Sequence, residues 1–256
     1  AQLMYRAGYT LTKDFLSRAK PKSDVCISVF AGVGNNGGDA LVMALELQKI
    51  GYQVNVFIVG DLTKASNAFK IYHNQLPKRF PLQNSFDLLQ HEKEIMSSKV
   101  VIDGIFGIGL SKPVTGHYLE LIEMINLTKA MIYSVDIPSG LGPETGLANP
   151  VSIKASLTGI VAYYKYGNLL NEALDNQGDV KVLDIGTVSD RNISKEYVDY
   201  TSRRLSIHHR LHQTHKYDVG AGIFIGGRDS MMGSIQMSAI SGLKSGLGIS
   251  FVFSKL

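Results

Sequence analysis

Between positions 34 and 39 the chain reads Gly34-Asn35-Asn36-Gly37-Gly38-Asp39. Two carboxamides and a carboxylate sit in a turn that glycines leave open to close backbone approach. Such a segment can receive phosphate on bare N–H groups and offer side-chain oxygens to a ligand or a hard cation. Two more acids end apolar runs: Asp103 in Ile102-Asp103-Gly104-Ile105-Phe106-Gly107-Ile108-Gly109, and Asp136 in Val135-Asp136-Ile137-Pro138-Ser139-Gly140. Aspartate is depleted in strands and costly to bury unpaired, so packing alone accounts poorly for both. Helix capping is the plainer use of each, and Asn with Gly in a turn requires no ligand. The chemistry open to the set is phosphate binding beside a dense group of oxygen ligands.

These residues need a frame that brings them together. Apolar, Val/Ile-rich runs predict strands at 25–31, 54–59, 100–105, 130–137, 155–163 and 180–185. Helical spacing predicts helices over 1–20, 38–50, 62–75, 118–126 and 167–173. Continuous apolar strands alternating with helices indicate an α/β, Rossmann-like, doubly wound and mostly parallel sheet. Ligands of such sheets lie beyond the carboxyl ends of the strands. That rule selects the glycine loop after the first strand, the segment 103–113 after the third and the segment 136–146 after the fourth.

Composition narrows the classes. The 256 residues are 45% hydrophobic and 19% charged, with a formal net charge of +4, enough for one large domain or one plus part of another. The basic residues are scattered, which excludes nucleic acid as the expected partner. No apolar run is long enough to cross a bilayer and no secretory signal is evident. Cys26 stands alone inside a predicted strand, so a reducing cytoplasm is the expected compartment. Ser254-Lys255-Leu256 spells a peroxisomal address that is read as chance. Both ends read as cut, the first in mid-helix and the last on an apolar strand.

Three other features have competing readings. Gly32-x-Gly34-x-x-Gly37 followed by Asp61 matches a dehydrogenase fingerprint, with Asp61 as the ribose-binding acid. His208, His209, His212 and His215 offer a metal cluster, but no Cys or carboxylate accompanies them at zinc-like spacing, and a solvated linker is favoured. His117 reads as a surface-loop residue, with a proton relay as the alternative. After the polar stretch, Ala221 to Gly227 reads as strand and turn, 234–245 as helix and 247–253 as strand, the start of a second α/β unit.

The three acid-bearing motifs, with Gly178-Asp179-Val180 through Asp184-Ile185-Gly186 as a closing strand, resemble the NAD(P)H-hydrate epimerase family, the YjeF N-terminal domain, over 1–187. After a linker at 188–210, residues 211–256 resemble the start of the ribokinase-like ADP/ATP-dependent NAD(P)H-hydrate dehydratase domain. The resemblance implies an isomerase that interconverts the R and S hydrates of NADH and NADPH, a small-molecule substrate, and a protein that if complete would also dehydrate the S form. It implies that Asn35, Asn36, Gly37, Gly38, Asp39, Gly107, Ile108, Gly109, Leu110, Ser111, Lys112, Pro113, Tyr118 and Asp136 hold the dinucleotide. Asn36, Asp103 and Ser139 would ligate a potassium ion, and Asp136 would be the catalytic residue. ADP or ATP would serve only the absent dehydratase part, and a homo-oligomer is possible. Ala40, Gly142 and Tyr217 depart from the usual family pattern. Other members of this fold group are non-catalytic scaffolds, and that reading stays open, as does an NAD-dependent oxidoreductase.

Overall fold

The computed structural model describes residues 1–187, 215–228 and 231–254. The chain divides into two units, Ala1–Ser189 and Asp190–Leu256. In the first unit, strands β1 (Ile27–Gly32), β2 (Val54–Val59), β3 (Phe80–Leu82), β4 (Val100–Gly104), β5 (Met131–Val135), β6 (Leu157–Val161) and β7 (Asp179–Leu183) form one sheet. Their order is β3-β2-β1-β4-β5-β6-β7, and every pairing is parallel. All residues of β1 and β4 are buried, as expected of central strands covered on both faces.

Helices α1 (Gln2–Ala19), α2 (Asn35–Lys49) and α3 (Asn67–His73) cover one face, where Phe15, Leu41, Leu47 and Phe69 close over Val29, Val56 and Ile102. Helices α4 (Ser85–Gln90), α5 (Glu92–Met96) and α6 (His117–Leu127) cover the other, where Leu88, Ile95, Leu121 and Ile125 meet Phe30, Phe57 and Val101. The strand order reverses direction between β1 and β4. Crevices of this kind, at the carboxyl ends of diverging strands, are where doubly wound folds bind ligands.

Several elements differ from their sequence expectation. The helix expected at 38–50 starts earlier, so Asn35 to Gly37 belong to α2 and not to the turn before it. The single helix expected over 62–75 is two pieces: a 3-10 turn, Leu62–Lys64, and α3, which Ser66 caps through the Phe69 N–H. The segment 167–173 contributes a 3-10 turn, Tyr166–Leu169, and only the first residue of the short α7 (Ala173–Asn176). The edge strand β3 and helices α4 and α5 have no counterpart in the sequence expectation. Pro81 within β3 suits an edge position.

Helix α1 is tied to the sheet by a buried polar cluster. Asp14 takes hydrogen bonds from Arg18 Nε at 2.9 and 3.1 Å and from Tyr133 Oη at 2.9 Å, and pairs with Lys181 Nζ at 3.2 Å. Arg18 also donates to the Thr158 and Asp179 carbonyls. Removing one member of such a cluster strands the others in a low-dielectric site. Asp14→Ala is therefore expected to lower unfolding free energy by about 3 kcal/mol, read from urea denaturation. A change under about 0.5 kcal/mol would show that α1 is held by its apolar face alone.

In the second unit, β8 (Ala221–Ile225) pairs in parallel with β9 (Ile249–Phe253), joined through α8 (Met232–Lys244). This is one βαβ unit, close to the strand–helix–strand pattern read from the sequence. The proposed linker at 188–210, with His208 and His209, lies outside the described residues, as do His212, Lys255 and Leu256. Among the described residues no helix is long and apolar enough to cross a membrane.

Candidate active site

The crevice between β1 and β4 opens into a cavity of about 590 Å³, within the usual range for small-molecule sites. Its floor is the end of β1 and the first turn of α2. Gly34 precedes the helix as N-cap with extended backbone and no side-chain cap, and the first turn holds no acid. The leading N–H groups of α2 thus lack a side-chain acceptor at a positively polarised helix end. Asn35, Asn36 and Asp39 all line the cavity. Gly37 and Gly38 do not: both are buried, Gly37 against Gly32 and Gly38 against Met4.

The loop after β4 forms one wall through Ile105, Phe106, Gly107, Ile108, Gly109 and Leu110. Tyr118, one residue into α6, completes it with its ring centroid 5.1 Å from that of Phe106. Its hydroxyl is seated where Gly60 leaves room: a Cβ at Gly60 would lie 2.4 Å from that oxygen. Ser111, Lys112 and Pro113, expected in the dinucleotide site, are exposed and do not line the cavity. Asp61, the acid of the dehydrogenase reading, accepts from the Thr63 N–H at 2.9 Å and the Thr63 hydroxyl at 2.7 Å, and also does not line it.

Beneath the wall, Asp103, Ser139 and Asn36 converge on Phe106. Asn36 Nδ2 donates to the Phe106 carbonyl at 2.8 Å, and the Phe106 N–H donates to Ser139 Oγ at 2.8 Å. Ser139 Oγ lies 2.5 Å from Asp103 Oδ1, and the Ser139 N–H donates to Asp103 Oδ2 at 2.9 Å. Ser134 Oγ donates to the same oxygen at 2.8 Å. Asp103 is fully buried, and that desolvation pushes its carboxyl up, opposed by the hydrogen bonds from Ser139, Ser134 and Ile105. The capping role considered for Asp103 is not what it does: it staples the β4 loop to the β5 loop. Ser134 is a member that the motifs did not reveal.

Opposite, the ends of β5 and β6 each turn back in three residues. The Ile137 N–H donates to the Val135 carbonyl at 2.8 Å around Asp136, with φ of 69°, and the Tyr163 N–H donates to the Val161 carbonyl at 2.8 Å around Ala162, with φ of 63°. Turns of this hand are rare and strained for residues with a Cβ. They project Asp136 into the cavity, where Oδ1 accepts from the Val161 N–H at 2.9 Å. Lys165 Nζ pairs with the same oxygen and also donates to the Val161 carbonyl at 3.1 Å. Lys165 lines the cavity as well. It carries no motif, but the strand-end rule applied to β6 as well would have selected its loop.

Asp39 faces this pair across the cavity. Burial, reinforced by the Asp136 carboxylate and offset by Lys165, pushes the Asp39 carboxyl up to about 8. Two carboxyl groups and one ammonium therefore share a cleft with an open helix terminus, an arrangement suited to proton transfer on a phosphorylated ligand. His117 is not in a loop: it begins α6, its Nε2 is buried without a hydrogen-bond partner, and desolvation lowers its pKa.

The family described as YjeF-related protein N-terminus matches residues 1–167. An NAD(P)H-hydrate epimerase of Lentilactobacillus buchneri is 36% identical over 189 residues, covering 72% of this chain and 83% of the relative. A bifunctional NAD(P)H-hydrate repair enzyme of Thermofilum pendens is 33% identical over 230 residues, 87% of this chain. The chain spans only 43% of the length of that relative. The crystal structure of yeast ynu0, YNL200c, superposes with a TM-score of 0.58 at 26% identity, over 71% of this chain and 77% of that one. The fold, the switch-point cleft and the extent of the match agree: the chain belongs to the YjeF-related protein N-terminus family.

Proposed function

We propose that this chain is an isomerase that interconverts the R and S hydrates of NADH and NADPH. The observation that supports it most is Asp136, held by a strained turn and an ion pair with Lys165 in the cleft at the sheet's switch point. The carbon to be epimerised carries both the hydroxyl and the ring nitrogen. Inverting it requires that the C–O bond break and re-form on the other face, with a carboxyl group assisting proton movement and stabilising the cationic ring. The N-terminus of α2 suits the pyrophosphate, which leaves the damaged ring for the part of the cavity that Asp136 lines. The deciding experiment mixes the protein with hydrated NADPH and follows R/S exchange by chromatography. A scaffold would leave the ratio untouched, and a dehydrogenase would need a second substrate.

The donors around Phe106 fit a potassium ion. Asn36, Asp103 and Ser139 offer hard oxygens with one formal charge among them, drawn from the first turn of α2, the end of β4 and the loop after β5. When bound, the ion would offset the buried charge of Asp103 and hold these three elements together. A cation that binds only the folded state adds about 2.7 kcal/mol at a hundredfold excess over Kd. Melting in potassium chloride is thus expected several degrees above melting in tetramethylammonium chloride at equal ionic strength. Identical curves would remove the ion from this reading.

The second unit, by the same reading, is the start of a dehydratase domain that would need ADP or ATP. This chain spans 43% and 49% of the length of two relatives called bifunctional. A reducing compartment such as the cytoplasm suits the lone, partly buried Cys26, whose thiol burial pushes up.

A further inference from the structure

We propose that Asp39 is a second catalytic residue, which donates the proton that lets the hydroxyl leave one face of the ring while Asp136 receives the proton from water adding to the other. The inference rests on the epimerase reading. Its basis is the placement of charge in the cleft. Asp39 from α2 and Asp136 from the β5 turn both line the cavity, with Lys165 as the cation beside them among the lining residues. That ammonium is committed to Asp136 and the Val161 carbonyl. Asp39 faces the same volume without a paired cation, in the first two turns of a helix whose other cavity residues are neutral. Two carboxyl groups in unlike surroundings divide acid and base roles between them.

The Asp39 carboxyl gives its proton to the hydroxyl oxygen, the C–O bond breaks, water leaves, and the ring-nitrogen lone pair forms a C=N bond. Water then attacks that carbon from the Asp136 side, its oxygen bonding to carbon, the C=N electrons returning to nitrogen and its surplus proton passing to Asp136. No oxidant or reductant is needed; the proton returns from Asp136 to Asp39 through water in the cleft before the next forward turnover, and the reverse epimerisation runs with the two carboxyl groups exchanging roles. The groups that face Asp39 across the packed elements are Asp136 after β5, Lys165 after β6 and the Tyr72 hydroxyl of α3. Burial and Asp136 place the Asp39 proton at about 8, so the acid form predominates at neutral pH and is lost above it.

The test compares wild type, Asp39→Asn and Lys165→Met on hydrated NADPH from pH 6 to about 9.5. The wild type should show kcat/KM falling through a limb near pH 8, and Asp39→Asn should lose at least about 10²-fold in kcat while still binding hydrated NADPH. In Lys165→Met the limb of the residual activity should move upward, because the ammonium that lowers Asp39 is gone. Wild-type turnover with Asp39→Asn within about threefold of it overturns the assignment and leaves the epimerase reading standing. No wild-type exchange at all overturns both. Should Asp39→Asn fail to fold, the wild-type profile decides: a flat kcat/KM through pH 9 overturns the acid role, and a limb near 8 that moves in Lys165→Met supports it.

Discussion

Asp136→Asn is expected to bind hydrated NADPH with little change in affinity and to lose about 10³-fold or more in kcat. The substitution is close to isosteric, and Asn tolerates positive φ as well as Asp does, so the tight turn at 69° should survive. The Asn oxygen can still accept from the Val161 N–H, which holds the side chain in the cleft. What disappears is the charge. Lys165 keeps its bond to the Val161 carbonyl but loses its ion-pair partner. A carboxamide can neither take a proton from attacking water nor offset a positive ring, so the loss falls on turnover rather than on binding. The measurement is single-turnover R/S exchange beside calorimetric titration with the same ligand. Wild-type kcat in this variant would sink the role given to Asp136. A parallel collapse of affinity would instead make Asp136 a binding residue.

Much of this architecture is legible in the chain because its strands are covered on both faces. Val54–Val59 and Val100–Gly104 are almost uninterrupted apolar segments, and the structure places both within a residue of their expected limits. Amphipathic α1 and α6 likewise follow from their spacing. The elements that escaped are short and local in origin. Phe80–Leu82 is three residues long with a central proline, and α4 depends on an Asn84 cap that accepts the Asp87 N–H. No periodicity builds up over such lengths. The break in the 62–75 segment has a visible cause in Ser66, whose hydroxyl caps α3, but a serine within an otherwise helical pattern is a weak signal.

The site divides along similar lines. Asn36, Asp103, Asp136 and Ser139 stand in motifs whose residue types are awkward for packing, and the fold brings them to one end of the sheet. Lys165 stands in Tyr163-Tyr164-Lys165-Tyr166, which advertises nothing; only a pairing between strand ends reveals its target. Ser111 to Pro113 are the opposite case: they extend a wall motif past the point where the loop turns into solvent, and they do not line the cavity. Spacing along the chain fixes which residues begin a loop, but not where the loop leaves the cavity.

Gly37→Ala should be among the most damaging single methyls in the first unit. A Cβ there would lie 1.6 Å from the Gly32 carbonyl oxygen, and one at Gly32 would lie 1.9 Å from the Ile105 carbonyl oxygen. At the switch point, then, the end of β1 is sandwiched between the first turn of α2 and the loop after β4 with no room for a side chain on either side. Behind them Gly104 meets Ala40, where a second Cβ would approach to 2.5 Å. Backbone cannot yield as a flexible side chain can, so α2 must move away from the sheet. The expected cost is about 3 kcal/mol, or a melting temperature lower by about 6–12 °C, with weaker binding because the helix N-terminus is displaced. Gly34→Ala is the control. Its φ is −86° and no atom lies within 4 Å of a Cβ there, so stability should hold within about 0.5 kcal/mol. Because Gly34 lines the cavity, that methyl should instead raise KM. If the two variants melted together, close backbone contact at the switch point would not be what fixes the cleft, and the convergence of Asn36, Asp103 and Asp136 would need another cause.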